Sequence, residues 1–316
     1  MQPTTKSLHW GIQSSPHQVT YGELLQLWQR ADTLGYDSAW LFDHFVPISG
    51  DPAGPCFEGW TLLAALAAQT RRLHVGCLVT SAIYRPPAVL AKMGATLDVV
   101  TGGRLELGIG AGWFEGEARA YGLPFPPTGE RLARLDEAIQ VIRLLWTNEV
   151  SDFAGKYYTL AGARCAPRPV QRPAPAIWVG GQGEKVTLRI VAQRADGWDT
   201  DMLPLGLYRH KLDVLAEHCR VFERDPASIR KMIHFSAVIG EDEGEVRGRA
   251  ESLAQRWNTP LAELQGRVLL GTPAQAAEQL AAYAALGVEH FVLSLQAPYD
   301  MRTVELYINE VAKLVK

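Results

Sequence analysis

An aspartate and a histidine stand next to each other where a predicted strand ends. Asp43 and His44 follow the apolar run Trp40-Leu41-Phe42. A histidine titrates near neutral pH and can donate or accept a proton, and an adjacent carboxylate can orient a neighbour or accept a hydrogen bond. We therefore interpret His44 as the candidate catalytic acid or base. A loop histidine with a purely structural hydrogen bond is the alternative at this stage.

A glycine-rich segment follows another predicted strand. Residues 108–113 read Gly-Ile-Gly-Ala-Gly-Trp, and the alternate glycines allow a planar or phosphorylated ligand to approach the backbone. The dinucleotide fingerprint G-x-G-x-x-G is absent, because Trp113 occupies its sixth position. Close packing of the backbone is the alternative explanation for these glycines.

A second glycine-rich segment leads into a helical pattern. Residues 178–185 read Trp-Val-Gly-Gly-Gln-Gly-Glu-Lys, so Gly180, Gly181 and Gly183 would expose backbone N–H groups at the start of a helix. Such groups form a natural phosphate site. The P-loop spacing is absent, so the sequence does not indicate ATP chemistry, and a simple chain reversal is the alternative.

Other catalytic patterns are missing from the sequence. The eight histidines are scattered and form no H-E-x-x-H motif, so we predict no metal site. There is no G-x-S-x-G elbow of the kind found in α/β-hydrolases. The four cysteines are isolated, which excludes a C-x-x-C motif.

The elements that must position these residues alternate between short apolar runs and longer stretches with helical periodicity. The predicted strands span residues 8–13, 38–42, 73–80, 104–109, 176–179, 195–199, 232–239 and 290–295. Predicted helices follow most of them, and Thr272 with Pro273 marks a helix start at residue 273. Such βα repeats require parallel strands covered by helices, in a closed barrel or an open doubly wound sheet. Eight strands favour the α/β barrel.

In a parallel barrel the functional site lies at the carboxyl ends of the strands, which is where Asp43, His44 and the glycine segments fall. We expect one domain over residues 1–316, interrupted by insertions at about 147–175 and 240–270. The first insertion reads as a hairpin followed by a proline-rich crossover. The second contains a helical stretch near residues 245–257.

Composition narrows the classes of partner. The chain has 316 residues, 47% of them hydrophobic and 21% charged, and a formal charge of −3. The charges are interspersed, so we expect no nucleic-acid or anionic-membrane surface. We find no apolar run long enough for a signal peptide or a membrane span and therefore expect a cytoplasmic protein.

Several of these segments also match a known family. Taken together, the sequence resembles the luciferase-like monooxygenase superfamily, and most closely its coenzyme F420-dependent oxidoreductase branch. The resemblance covers nearly the whole chain and is carried by residues 31–40, 42–45, 85–92, 95–104, 110–113, 180–185 and 195–198.

The resemblance implies a single (β/α)8 TIM barrel with inserted segments, binding a deazaflavin or flavin ring at its carboxyl-end face. It implies a cis peptide bond in a bulge after the third strand, placed by position at Cys77-Leu78 with an ambiguity of one residue. His44 corresponds to the family's active-site histidine. The expected cofactor-binding residues are Asp43, Cys77, Leu78, Thr80, Ala111, Gly112, Trp113, Gly180, Gly181 and Gly183.

One position departs from the family pattern. Sugar-phosphate dehydrogenases of the superfamily place a glutamate where this chain has Trp113, and an indole cannot donate a proton in its place. We therefore expect a substrate other than glucose-6-phosphate.

The function that the resemblance implies is an F420-dependent oxidoreductase that moves a hydride between the deazaflavin and a small organic substrate. Two alternatives stay open: an FMN-dependent monooxygenase that uses reduced flavin and oxygen, and a flavin- or F420-binding barrel without catalysis. The resemblance is also compatible with a homodimer.

Overall fold

The structure is a computed structural model that describes residues 7–264 and 267–315. Its strands, in chain order, are β1 (His9–Ser14), β2 (Ser38–Leu41), β3 (His74–Cys77), β4 (Thr80–Ser81), β5 (Leu107–Gly110), β6 (Ser151–Ala154), β7 (Thr159–Ala163), β8 (Ile177–Gly180), β9 (Gly197–Asp201), β10 (Arg230–Ile239), β11 (Val268–Gly271) and β12 (His290–Leu295). The barrel strands pair in parallel in the order β3, β2, β1, β12, β10, β9, β8, β5 and β4, and β11 pairs with β10.

Backbone hydrogen bonds close this ring between β3 and the segment that enters β5. The Val75 N–H donates to the Arg104 carbonyl at 2.8 Å, and the Glu106 N–H donates to the Val75 carbonyl at 2.9 Å. The short strand β4 follows β3 and pairs with β5, with Thr80 beside Ile109. β3 and β4 therefore serve as one barrel strand. The predicted eight-stranded α/β barrel is confirmed, and the open sheet is excluded.

Helices cover the outside of the barrel. They are α1 (Tyr21–Leu34), α2 (Gly59–Ala67), α3 (Pro87–Thr101), α4 (Glu115–Ala120), α5 (Thr128–Thr147), α6 (Thr187–Arg194), α7 (Leu205–Val221), α8 (Glu243–Arg256), α9 (Leu261–Leu264), α10 (Pro273–Ala284), α11 (Met301–Leu306) and α12 (Ala312–Leu314). A π-helical turn (Tyr307–Val311) joins the last two. The predicted start of α10 is confirmed, because Thr272 and Gln275 form a capping box and Pro273 takes the first helical position.

The two insertions contain the elements that the sequence predicts, and two more. β6 and β7 form an antiparallel hairpin in the first, and α8 occupies the predicted helical stretch of the second. The short helix α9 and the strand β11, which the sequence did not predict, follow α8 in the second insertion. Apolar side chains of this insertion and of β10 form a small cluster apart from the main core: Val238, Ala250, Leu253, Ala254, Leu264 and Val268.

The barrel interior has its own apolar layer, distinct from the core between strands and helices. It consists of Trp40, Leu78, Trp178, Met232 and Val292, with Val79 packed against it. This layer fills the middle of the barrel and forms the floor beneath the carboxyl-end mouth. Within residues 7–264 and 267–315, no helix combines the length and the apolar character needed to cross a membrane.

Candidate active site

Asp43 is buried at the rim just after β2. Its carboxylate accepts hydrogen bonds from Arg85 at 2.5 and 3.0 Å and another from the Thr80 hydroxyl. Arg85 also pairs with Glu58, which caps the N-terminus of α2. Asp43 therefore fixes the loop after β2 against β4. Its contact with a cofactor stays a prediction, and His44 is the member of the pair that is free for chemistry.

His44 is held by a carboxylate that the sequence analysis did not identify. Its Nδ1 lies 2.8 Å from Oε2 of Glu117 on α4, and the Tyr84 hydroxyl donates to the same oxygen. The other carboxylate oxygen accepts the backbone N–H groups of Phe45 and Val46. Glu117 is 1% exposed, so it joins α4 to the histidine loop in a water-excluded contact.

The charge of Glu117 determines the tautomer of His44. Burial alone would raise the pKa of Glu117, but hydrogen bonds from His44 and Tyr84 outweigh this effect and hold that pKa below its ordinary value. An ionised carboxylate can only accept, so Nδ1 of His44 carries a hydrogen. In the described part of the chain no hydrogen bond reaches Nε2 of His44, which leaves this atom free to receive or release a proton.

Aromatic rings surround His44. The ring of Trp113 meets it edge to face with centroids 5.5 Å apart, and Phe42 does the same from the other side at 5.4 Å. Trp113 also stacks on Phe114 at 5.1 Å and is 64% exposed. An exposed indole beside a buried imidazole places Trp113 at the entrance to the site, where a ligand could pack on its ring.

The cis peptide bond that does not involve proline lies between Leu78 and Val79. This is one residue beyond the predicted Cys77-Leu78 position and within the stated ambiguity of one residue. The Leu78 carbonyl accepts a hydrogen bond from Gln13 Nε2 at 2.7 Å, and Gln13 in turn accepts from the Ser294 hydroxyl. Cys77 points the other way, into the core between barrel and helices. Any contact of Cys77 with a ligand in the mouth would therefore use its backbone.

Val79 explains part of the glycine pattern. A Cβ on Gly110 would lie 2.9 Å from a Val79 methyl group, and one on Gly180 would lie 2.8 Å from the other. A Cβ on Gly108 would be 3.2 Å away. Gly110 and Gly180 thus make room for Val79 inside the barrel, whereas a Cβ on Gly108 would first clash with the Cys77 carbonyl oxygen. Close packing therefore explains Gly108 and Gly110.

Gly112 has a different role. Its φ of +82° is rare for other residues, and a Cβ there would come within 2.5 Å of the Ser81 hydroxyl oxygen. That buried hydroxyl has no hydrogen-bond partner among the described residues. Arg131 holds the turn by donating to the Gly112 carbonyl, while Ala111 is half-buried against the core. Gly112 and Ser81 thus leave a small polar recess at the rim.

The glycine turn after β8 is exposed at Gly181, whose φ is +126°. Trp198 Nε1 donates to the Gly181 carbonyl at 2.8 Å and fixes the turn. α6 begins at Thr187 rather than at the predicted Glu184, because Val186 has non-helical dihedrals. Within the described chain, no backbone hydrogen bond uses the N–H groups of residues 182–185, which fits the predicted anion site.

A third ionisable group lies at the mouth, on β9 and β10. His234 Nδ1 is 3.0 Å from Asp199 Oδ1, and its Nε2 is 3.0 Å from Asp201 Oδ1. Gln182 donates to the second oxygen of Asp201 at 2.9 Å. Burial would lower the pKa of His234, but the two carboxylates dominate and raise it to about 10. His234 is therefore a cation at neutral pH.

The residues that the sequence analysis missed share a property: each acts through a partner far away in the chain. Glu117 is 73 positions from His44, and Asp199 is 35 positions from His234. Strand alternation could have pointed to Asp199 and His234. Side chains of a strand point alternately to its two faces, and both residues occupy barrel-facing positions of predicted strands. Among the described residues, no cluster of three or more histidine, cysteine, aspartate or glutamate side chains has a metal-binding arrangement.

Known proteins share this architecture. A search of solved structures finds an F420-dependent secondary alcohol dehydrogenase in complex with an F420–acetone adduct, with a TM-score of 0.84 and 20% identity over 98% of this chain and 99% of that one. The long-chain alkane monooxygenase LadA matches with a TM-score of 0.83 and 16% identity, over 98% and 91% of the two chains. At these identities the likeness shows the fold alone.

Sequence comparisons identify the family. The F420-dependent glucose-6-phosphate dehydrogenase of Kineococcus radiotolerans is 30% identical to this protein over 98% of this chain and 97% of the relative. The family model described as luciferase-like monooxygenase matches residues 6–290. The predicted resemblance is confirmed: this chain belongs to the luciferase-like monooxygenase family.

Proposed function

We propose that this protein is an F420-dependent oxidoreductase that moves a hydride between the deazaflavin and a small organic substrate. The observation that carries the proposal is the buried His44–Glu117 pair, which leaves Nε2 of His44 unbonded at the mouth of the barrel. The F420-dependent relative that matches along nearly its whole length supports the choice of cofactor.

The structure fits such a cofactor in two respects. The turn after β8 has unused backbone N–H groups at residues 182–185 for a phosphate. The recess between Gly112 and Ser81 would be filled by a Cβ and contains an unpartnered hydroxyl. When bound, F420 accepts or supplies a hydride, and the protein positions the reactants.

His44 would handle the proton that accompanies the hydride. When an alcohol carbon loses a hydride, its hydroxyl loses a proton and a carbonyl forms. Nε2 of His44 takes that proton, and ionised Glu117 stabilises the resulting imidazolium. In the reverse direction the same atom returns the proton to the carbonyl oxygen.

A cavity of about 550 Å³ is the proposed substrate pocket. Among the described residues its lining includes Arg256, Arg267 and the buried His17 and no acidic side chain. Both ring nitrogens of His17 lack a partner among the described residues, and its ring is 5.3 Å from that of Phe42, next to His44. This lining suits a polar small molecule with a negatively charged group.

We expect that substrate to differ from the glucose-6-phosphate named for the relative. Trp113 stands at the entrance to the site, within 5.5 Å of the His44 ring. An indole adds a flat apolar wall and no ionisable group, which favours a substrate with an apolar surface beside its reacting carbon.

Side-by-side titration with F420 and FMN tests the cofactor. We expect F420 to bind more tightly, with quenching of its fluorescence, and anaerobic exchange of hydride with an accepted alcohol or ketone. Tighter binding of FMN, together with consumption of oxygen by the reduced complex, would instead support the monooxygenase alternative. Cofactor binding with normal turnover in His44→Ala would refute the acid–base assignment.

A further inference from the structure

Asp199 has one carboxylate oxygen that the protein does not use. Oδ1 pairs with His234, but no hydrogen bond reaches Oδ2 in the described residues. A Cβ on Gly180, if one were present, would lie 3.5 Å from that oxygen. Oδ2 therefore lies beside Gly180, near the Val79 methyl groups for which this glycine makes room, and the Asp199 residue is only 3% exposed.

The position of Asp199 in the barrel is opposite the catalytic pair. Counting either way around the ring, β9 is four strands from β2, which precedes His44. On its other side, the Asp199 carbonyl accepts the N–H of Gly181 at 3.2 Å, so Asp199 adjoins the proposed phosphate turn. A ligand anchored at the turn therefore begins beside this carboxylate.

His234 makes this oxygen a strong acceptor. The imidazolium is fixed by Asp199 on one nitrogen and by Asp201 on the other, so the Asp199 carboxylate lies against a positive charge inside the barrel. A carboxylate in this state attracts hydroxyl or N–H donors and repels anions. The Asp199 carboxylate would repel the negatively charged phosphate. The part of the ligand next to the phosphate is therefore the part that could contact Oδ2.

Given the proposed function, on which this inference rests, we propose that Asp199 binds the hydroxyl groups of the polyol chain that connects the ring of the cofactor to its phosphate. Deazaflavin and flavin cofactors both carry such a ribityl chain between ring and phosphate. His234 and Asp201 are positioning residues that hold Asp199 in place. His234 does not donate to the ligand, because both of its ring nitrogens are already paired with carboxylates.

The test compares two ligands without a phosphate: a 5-deazaflavin with the ribityl chain, and the same ring with a pentyl chain that has no hydroxyl groups. Dissociation constants are measured by fluorescence quenching for the unmodified protein and for Asp199→Asn. A hydrogen bond to a charged group is worth more than its neutral counterpart by roughly a tenfold factor in affinity. We expect Asp199→Asn to weaken the ribityl ligand about tenfold and the pentyl ligand less than twofold.

Asp37→Asn is the matched control. Asp37 also lies beside a histidine, His9, and accepts the Trp10 N–H at 2.7 Å, but at the opposite end of the barrel. The Asp37→Asn variant should bind both ligands with the same affinity as the unmodified protein. The unmodified protein alone gives a second measurement: it should bind the ribityl ligand at least several-fold more tightly than the pentyl ligand, whether or not Asp199→Asn folds.

Three results would overturn the inference: unchanged affinity of Asp199→Asn for the ribityl ligand, an equal loss for both ligands, or equal affinity of the unmodified protein for the two. If the unmodified protein binds neither these ligands nor F420, the proposed function fails as well. If F420 binds and Asp199→Asn is indifferent to the ribityl chain, only the role of Asp199 is wrong.

Discussion

Each end of the barrel contains a histidine, buried at the amino end and half-buried at the carboxyl end, and the two histidines have opposite charge states. At the amino end, His290 shares a hydrogen bond of 2.8 Å with the Ser38 hydroxyl and lies near the rings of Trp40 and Trp178. Burial lowers its pKa to about 4, so it is neutral. At the carboxyl end, two carboxylates make His234 a cation despite its burial.

The comparison shows that the neighbours of a histidine, more than its depth, set its charge. The two ends of the barrel also use their polar groups differently. At the amino end, Glu106 accepts from Trp178 and pairs with Arg230 and His74, so the polar groups bind one another. At the mouth, Nε2 of His44 and Oδ2 of Asp199 are left for a ligand. We therefore expect the mouth to control turnover and the amino end to control stability.

The largest effect should come from the mouth. His44→Ala should reduce hydride transfer by roughly 10²- to 10⁴-fold, the usual contribution of a positioned acid or base, while F420 affinity changes only a few-fold. Single-turnover absorbance at the deazaflavin band measures the rate. His9→Ala, at the other end of the barrel, is the control and should turn over normally; a comparable loss there would break the division between the ends.

At the amino end the expected loss is in stability. Glu106→Gln leaves Arg230 without its buried charged partner, and breaking such a pair costs about 3–5 kcal/mol. Urea unfolding should show this decrease, whereas turnover per folded molecule should stay within about twofold. Loss of activity with unchanged unfolding would contradict the assignment of this end to stability.

The opposite charge states of the two histidines predict opposite pH dependence. Because the pKa of His290 is lowered to about 4, its contribution is present above about pH 6.5 and is lost as the pH falls toward 4, by roughly 3 kcal/mol at most. The contribution of His234 is fully present below about pH 6.5 and is lost as the pH rises from there through about 10.

Urea unfolding between pH 7 and pH 4 should therefore show a decline that His290→Gln reduces and His234→Gln does not. Between about pH 6.5 and pH 10 the pattern should reverse. A decline below pH 6.5 that is unaffected by His290→Gln would mean that other groups titrate there.

The smallest expected effect is that of Glu117→Gln on turnover, and it tests the role of Glu117 beside His44. Glu117→Gln keeps a hydrogen-bonding group beside His44 but removes the charge, so the imidazolium loses stabilisation. We expect turnover to fall about tenfold and the acid limb of the pH–rate profile to shift toward lower pH. A simple structural role would lower the rate without moving the profile, and Glu115→Gln on the exposed side of α4 should do neither.

The barrel was predictable from the sequence because each strand and helix carries its own pattern. The start of α10 depends only on Thr272, Pro273 and Gln275, which are neighbours in sequence. α4 was missed because its six residues are too few for a visible period. β11 was missed because it is a short apolar run inside an insertion.

The site was predictable only where a residue type identifies it locally. His44 stood out beside Asp43, whereas Glu117 has no local feature that ties it to His44. The glycines of β5 were visible, but their cause, the Cys77 carbonyl against Gly108 and the Val79 side chain against Gly110, depends on contacts between separate strands. Roles that come from long-range contacts require the fold.

The second insertion has a consequence for evolution and engineering. It contributes Arg256, Trp257, Thr259 and Arg267 to the wall of the large cavity, yet its elements bury their apolar side chains largely in a cluster of their own. Changes to these four positions need not disturb the barrel floor or His44. Libraries confined to them would diversify substrate preference while the hydride chemistry is inherited unchanged, and related proteins could diverge in specificity by the same route.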